Sequence, residues 1–236
     1  MSTVTATVRL HTNQREQALL VPLYITGTVA VISVLISLVF WRSGSTPGTD
    51  AWIQGSQSNP GIGYALVGFL VYTGVAAVAT TFPFALSLGT SRRAFITGTL
   101  LWQALTAAYV AVILLALLGL ELATGHWFFG FYIFDIHLLG AGDPLQLLAI
   151  VFLGVLTSLN VGTVFAAAWV RFGARGPLLI AAGLALALLV AVLVAIPRFA
   201  ELAAAFELWW LAAAAGGAIV LSSAGSWSLL RRAIVR

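Results

Sequence analysis

Long unbroken apolar runs alternate with short polar stretches along this chain. Six of the runs are long enough to cross a hydrocarbon layer of roughly 30 Å, which takes about 20 residues of helix. They fall near 19–41, 62–87, 99–120, 145–170, 178–196 and 208–229. The alternating pattern of a barrel strand is absent, and an open sheet edge leaves its amides unpaired in lipid, so each run is expected to be a helix. The fold class expected is therefore an all-α polytopic membrane protein with six transmembrane helices.

Turn chemistry marks several boundaries. Asn59-Pro60, Asp143-Pro144 and Gly176-Pro177 each put a proline where a first helical turn needs no N–H, and Asn59 and Asp143 are good capping types. Pro83, four residues after Ala79, is expected to bend the second span. Residues 42–61 read as an ordinary polar, turn-rich connection. The first run is flanked by Arg9 and Arg15 but is too long for a signal peptide, and no small-residue cleavage site follows "LVFWRSGS", so it is expected to stay as an anchor. No internal repeat or second domain is visible. The chain divides into an N-terminal segment 1–18, a membrane domain 19–230 and a tail 231–236.

Composition removes the soluble alternatives: 61% of residues are hydrophobic and 8% charged, and the mean hydropathy is +1.06. Charge then orients the chain. All 11 basic residues are arginine. With the N-terminus inside, Arg9, Arg15, Arg92, Arg93, Arg171, Arg175, Arg231, Arg232 and Arg236 share the inner side, against Arg42 and Arg198 outside, 9 to 2. The positive-inside rule places both termini in the cytoplasm, as expected of a multi-pass protein of a bacterial cell membrane. The net charge of +4 thus reflects topology and gives no reason to propose nucleic acid as a partner. Zero cysteines exclude disulfides and thiolate metal sites.

No proposed span carries Asp, Glu, Lys, Arg or His. Gradient-coupled carriers usually place ionisable groups in the membrane, so coupling to an ion gradient is disfavoured, although sodium sites made of carbonyls and hydroxyls remain open. His11, His126 and His137 fall in the tail or an outer loop, which leaves no Ser-His pair at depth for a hydrolase. "GAGD", Gly140 to Asp143, matches the G-x-G-D string of intramembrane aspartyl proteases but lacks a second carboxylate in any span, and a helix cap explains Asp143. His126, Asp135 and His137 have the donors for a metal but no recognised spacing, so a solvated loop is expected and no metal site.

Uncharged polar residues do enter the spans: Gln103 and Thr106 in the third, Thr157, Ser158, Asn160 and Thr163 in the fourth, Ser222, Ser223 and Ser226 in the sixth. They either hydrogen-bond between helices, at about 0.6 kcal/mol each, or line a polar-tolerant pathway. Gly154, Ser158, Gly162 and Ala166 fall four apart on one face and permit close packing within the subunit or across a dimer. The outer loop packs Trp127, Phe128, Phe129, Phe131, Tyr132 and Phe134 into eight positions. That cluster is either an interfacial aromatic belt or an outer gate formed by Trp127, Phe128, Phe131 and Tyr132.

A transporter without an ionisable coupling group draws energy from elsewhere or conducts passively. A chain with no lysine holds no standard Walker A site, so any ATPase is a separate polypeptide reached through the inner connections 88–98 and 171–177. In the first, Leu88, Gly89, Thr90, Ser91, Arg92, Arg93, Ala94 and Phe95 give a glycine turn, a Ser/Thr start and an aromatic end, the pattern of a short helix lying under the membrane.

"FPFALSLGTSRRAFITGTLL", Phe82 to Leu101, resembles the segment between the second and third membrane helices of ABC-2 type permeases of ATP-binding-cassette transporters. "VRLHTNQREQALLVPLYITG", Val8 to Gly27, is similar to the amphipathic N-terminal segment of actinobacterial members. The family's long outer loop often precedes the last helix, whereas here it follows the third. The resemblance implies the non-catalytic membrane subunit of an exporter, working with a partner ATPase that carries ATP and magnesium. It also implies a second permease copy or paralogue, and no cofactor on this chain. It makes Leu88 to Phe95 a cytoplasmic coupling helix, with Phe95 anchored in a groove of the ATPase and Arg92 and Arg93 paired to acidic groups or lipid phosphate. The same two arginines serve equally as topology determinants. The cargo implied is lipid-like, peptide or hydrophobic drug, and no residue selects among them. The competing reading is a non-transporting scaffold or sensor subunit; an intramembrane hydrolase stands third.

Overall fold

The computed structural model describes residues 3–13 and 19–233, and within them all regular structure is helical, with no strand. The helices are α1 (Thr3–Thr12), α2 (Val21–Arg42), α3 (Asp50–Gln57), α4 (Gly61–Ala79), α5 (Thr81–Ser87), α6 (Arg92–Ala123), α7 (Pro144–Phe172), α8 (Arg175–Ala195), α9 (Phe199–Ala204) and α10 (Leu208–Leu230). Six segments are long and apolar enough to cross a membrane. We call the end of the bundle that holds α1 and Ala233 the terminal end, and the other the far end.

The helix at the centre is α7, which packs against α4, α6, α8 and α10, while α2 lies on α4 and α1 on α6. Glycines set the closest contact. A Cβ at Gly74 would fall on the backbone carbonyl of Leu159, and one at Gly162 on that of Val71, so α4 and α7 meet backbone to backbone. Of the four-residue stripe, Gly162 therefore works inside the subunit, whereas Gly154 has open space around it.

Exposure supports the membrane reading beyond composition. Only Gly176 of α8 is buried, where it rests on the Ala168 carbonyl of α7, and the rest of this Leu, Ala and Val helix faces outward. A helix apolar all round and packed only at its base is stable where its surroundings are hydrocarbon.

Several boundaries differ from those the sequence implies. The second span breaks at Thr80 into α4 and α5, because Pro83 cannot donate to the carbonyl four residues back, at Ala79. The third span starts at Arg92 rather than near 99, since Ser91 caps it by accepting the Ala94 N–H at 3.2 Å. Asp143, by contrast, caps α7 as its sequence context implies, accepting the N–H groups of Leu145 (2.8 Å) and Gln146 (3.1 Å). The connection 42–61 is more than a loop: Thr49 caps α3, whose buried Trp52 donates its indole N–H to the Gly130 carbonyl at 2.7 Å.

The tail and N-terminal segment also join the bundle. Ala233 is buried with Val78, Phe82, Phe95, Ala167 and Leu230 in a terminal-end core. A Cβ at Gly98 would stand 2.6 Å from the Thr7 Cβ, so α1 crosses α6 at that glycine. Arg15 and Glu16 lie outside the described residues, as does Arg236.

Candidate functional site

At the terminal end, the segment expected to be a short helix is a tight turn. The Thr90 N–H reaches the Ala85 carbonyl and the Gly89 N–H the Leu86 carbonyl, both at 3.0 Å, and Gly89 has φ +81°. This is a Schellman closure of α5, and it requires the left-handed residue that glycine supplies. Ser91 then opens α6 immediately. Leu88, Gly89, Ser91 and Arg93 face outward, Thr90 and Arg92 are half-buried, and Leu88 stands 65% exposed at the tip.

One expectation for this segment is corrected. Phe95 is 0% exposed and offers no free surface: it meets Phe82 edge-on at 5.1 Å and His11 at 5.7 Å. It is the first large apolar side chain after the Ser91 cap, and it turns inward next to buried Ala94. Arg92 donates to the Arg231 carbonyl at 2.8 Å, and Arg171 donates to the Ser228 carbonyl at 3.3 Å. Both guanidinium groups thus satisfy the last carbonyls of α10, where the helix dipole is negative.

His11 sits in this corner instead of in a solvated tail. Its ring stacks on Trp102 at 4.8 Å, and Nε2 lies 3.0 Å from the Thr99 hydroxyl. That hydroxyl donates to the Phe95 carbonyl at 2.9 Å, so the imidazole supplies the proton between them. With its proton committed and the site enclosed, Thr99 is not arranged as a nucleophile. Burial lowers the His11 pKa from 6.5 to about 4. The folded state therefore binds fewer protons than the unfolded one between these values, and stability present above pH 6.5 is lost as pH falls toward 4. Hydrogen exchange across Thr3–Thr12 should be slow at pH 7.5 and rise steeply below 6.5 after correction for intrinsic rates, whereas His11→Phe should remove that dependence; an unchanged profile would place His11 in water.

Midway along α6, Gln103 is wholly buried and donates Nε2 to the Thr163 hydroxyl (2.6 Å) and the Leu159 carbonyl (3.3 Å). The Thr163 hydroxyl lies 2.9 Å from the Leu159 carbonyl and 3.3 Å from that of Gly74 on α4. Asn160 accepts from Ser223 of α10 at 2.8 Å. Ser158 bonds back to Gly154, and Thr106 is buried three residues beyond Gln103. The group ties α6, α4 and α10 to α7; the Gln103 Oε1 keeps no protein partner among the described residues.

The far end holds the centre that sequence reasoning missed. Glu121, the residue after the third apolar run, is 0% exposed. Its carboxylate accepts the N–H groups of Ile133 (3.1 Å), Phe134 (2.8 Å) and Asp135 (3.3 Å), and the Trp127 indole N–H at 3.1 Å. The loop it organises passes through three left-handed residues, His126, Trp127 and Phe128, each a conformation that costs about 1–2 kcal/mol. Asp135 lies 3.0 Å from the His126 ring nitrogen and accepts from Gln57 of α3 at 3.2 Å, so two of the three imagined metal donors hydrogen-bond to each other. Among the described residues no group of three or more His, Cys, Asp or Glu is placed to hold a metal ion. Burial, then Asp135 and Glu121, raise the Tyr132 pKa above its usual 10. The aromatic set splits: Phe131 is buried, Trp127 and Tyr132 are half-buried, and Phe128 is 81% exposed.

Among the described residues the chain is all-helical, with six helices long and apolar enough to cross a membrane, and most of its buried polar side chains hold helices and one loop together. Set against known families, curated proteins and solved structures, the chain matches none of them.

Proposed function

We propose that this chain is the membrane subunit of an ABC-2 type exporter, driven by a separate ATPase that docks on the Leu88–Ser91 turn. The observation that carries the reading is that turn: an exposed leucine on a hydrogen-bonded closure, joined without a flexible link to a 32-residue helix. The described arginines at this end are Arg9, Arg92, Arg93, Arg171, Arg175, Arg231 and Arg232, against Arg42 and Arg198 at the other, which supports a cytoplasmic terminal end in a bacterial cell membrane.

The mechanism follows from α6. It is about 48 Å long at 1.5 Å per residue and reaches from the turn to Glu121. When ATP closes the partner ATPases, a push on Leu88 displaces α6 as a rigid body. The Gln103–Thr163 contact then slides against α7, and the far-end loop moves with Glu121 because it is bonded to that carboxylate. In this scheme Leu88, Gly89, Ser91 and Arg93 receive the ATPase, Arg92 anchors the turn to α10, and Phe95 stiffens it from within. ATP and magnesium stay on the partner, and a second copy or paralogue of this chain completes the pathway.

Tagged protein from its own host should bring down a Walker-A ATPase, and Leu88→Asp should reduce its recovery at least tenfold while Leu145→Asp, exposed at the far end, leaves it unchanged. Failure of any ATPase to co-purify with the wild type would sink the exporter reading in favour of a scaffold without transport.

A further inference from the structure

We infer that the four arginines gathered at the end of α10, Arg92, Arg171, Arg231 and Arg232, bind the phosphate headgroup of an anionic phospholipid. The inference does not rest on the exporter reading. Arg92 at the start of α6 and Arg171 at the end of α7 each reach α10 through one nitrogen, Nη1, onto the carbonyls of Arg231 (2.8 Å) and Ser228 (3.3 Å). Residues three apart on a helix share a face, here about 4.5 Å apart along the axis. Two guanidinium groups from different helices are therefore held over a single turn, beside the point where the exposed Arg231 and Arg232 side chains leave the helix. A guanidinium carries its N–H donors in a fixed fork, so one bond to a carbonyl leaves most of each fork open to another acceptor.

Three observations choose the occupant. The first is charge. The acids Asp50, Glu121, Asp135, Asp143, Glu201 and Glu207 lie at the far end, and the remaining one, Glu16, is outside the described residues. Among the described residues none of the four arginines has a carboxylate partner, and what Arg92 and Arg171 meet is the partial negative end of α10. A phosphate supplies the missing anion and accepts from more than one fork at once. The second is depth. Leu230 is buried and Arg231 follows it directly, so the cations stand where the apolar body of a 23-residue helix ends, at headgroup level for a helix that crosses the layer. The third separates a lipid from a free phosphate or an acidic protein segment. Trp169 and Phe172 are exposed on one face of the last turns of α7, and the Arg171 guanidinium carbon lies 4.8 Å from the centre of the Phe172 ring. An apolar wall that begins at the cations suits acyl chains attached to the phosphate and offers nothing to a free anion.

The test titrates the full chain in dodecyl maltoside with dioleoylphosphatidylglycerol and dioleoylphosphatidylcholine at equal concentration, and counts adducts by native mass spectrometry. One phosphatidylglycerol should bind first, about tenfold tighter than phosphatidylcholine, whose choline cancels the phosphate charge. Arg92→Lys with Arg171→Lys keeps every positive charge, and so the topology, but removes both forks and should weaken that adduct about fivefold. Arg231→Lys with Arg232→Lys should act in the same direction. Because those two side chains make no hydrogen bond or ion pair among the described residues, this pair reports on the site even if the first pair loosens the fold. Arg93→Lys, exposed beside Arg92 and without a bond to α10, should change nothing. Glycerol 3-phosphate in large excess should fail to displace the lipid. Its success would make this a site for free phosphate, and displacement by polyglutamate a site for an acidic protein segment; either overturns the proposal. So does equal binding of the two lipids, an adduct indifferent to both lysine pairs, or an equal loss in Arg93→Lys, which would reduce the cluster to general surface charge.

Discussion

Gly162→Ala should destabilise the bundle by about 3 kcal/mol, while Gly154→Ala, on the same face of α7, should be neutral or stabilising by up to about 1 kcal/mol. The two glycines differ only in what they touch. A methyl at Gly162 would fall on the Val71 carbonyl, 2.9 Å from the Val75 nitrogen and 3.0 Å from the Gly74 Cα. Every obstacle is backbone, so no rotamer relieves the overlap and α4 must move away from α7. That movement also pulls the Gly74 carbonyl from the Thr163 hydroxyl, which then serves Gln103 less well. At Gly154 a methyl meets nothing within 4 Å, and the gain is the ordinary advantage of alanine in a helix. Denaturation in mixed micelles, followed by helix signal, measures both variants. Equal midpoints would mean that the α4–α7 contact contributes little and that the helices are held elsewhere.

How much of this was readable in advance depends on whether the signal was carried by one residue type or by a partner. Apolar run length announces a span, and all six were legible to within a few residues except where a cap or a proline intervened. Asp143 and Pro83 act on their own neighbourhood, so their effects could be read locally. Residues 49–52 also carried a usable signal, a capping threonine followed by an acid, which the polar look of the loop concealed. Phe95 was misplaced because exposure on an apolar helix has no polar face to betray it: Phe84 faces out and Phe82 in, with the same chemistry. His11 depends on Gly98 and Thr99, eighty-odd residues away, to make room and a partner. Glu121 was least legible of all, since its partners are mainly backbone amides, and amides leave no mark in a sequence.

That carboxylate gives the other large effect: Glu121→Ala should cost about 3 kcal/mol or more and release the segment from Gly125 to Leu139. The substitution leaves three consecutive buried amides and an indole N–H without their acceptor, and each such donor costs about 1–3 kcal/mol unless water reaches it. Water can enter only if the loop opens, so part of the penalty appears as disorder and the left-handed run at His126–Phe128 is free to relax. Glu121→Gln should fall between, because one of its two ends donates instead of accepts. Hydrogen exchange localises the outcome: Ile133, Phe134 and Asp135 amides should lose protection by two orders of magnitude or more in the alanine variant, while α4 and α7 keep theirs. Under the exporter reading the same variant should uncouple the two ends of α6, so that ATP turnover by the assembled complex persists while cargo movement stops. Retained protection at all three amides would show that the Trp52–Gly130 bond and the His126–Asp135 pair hold the loop without Glu121, and would remove the far-end cap from the proposed mechanism.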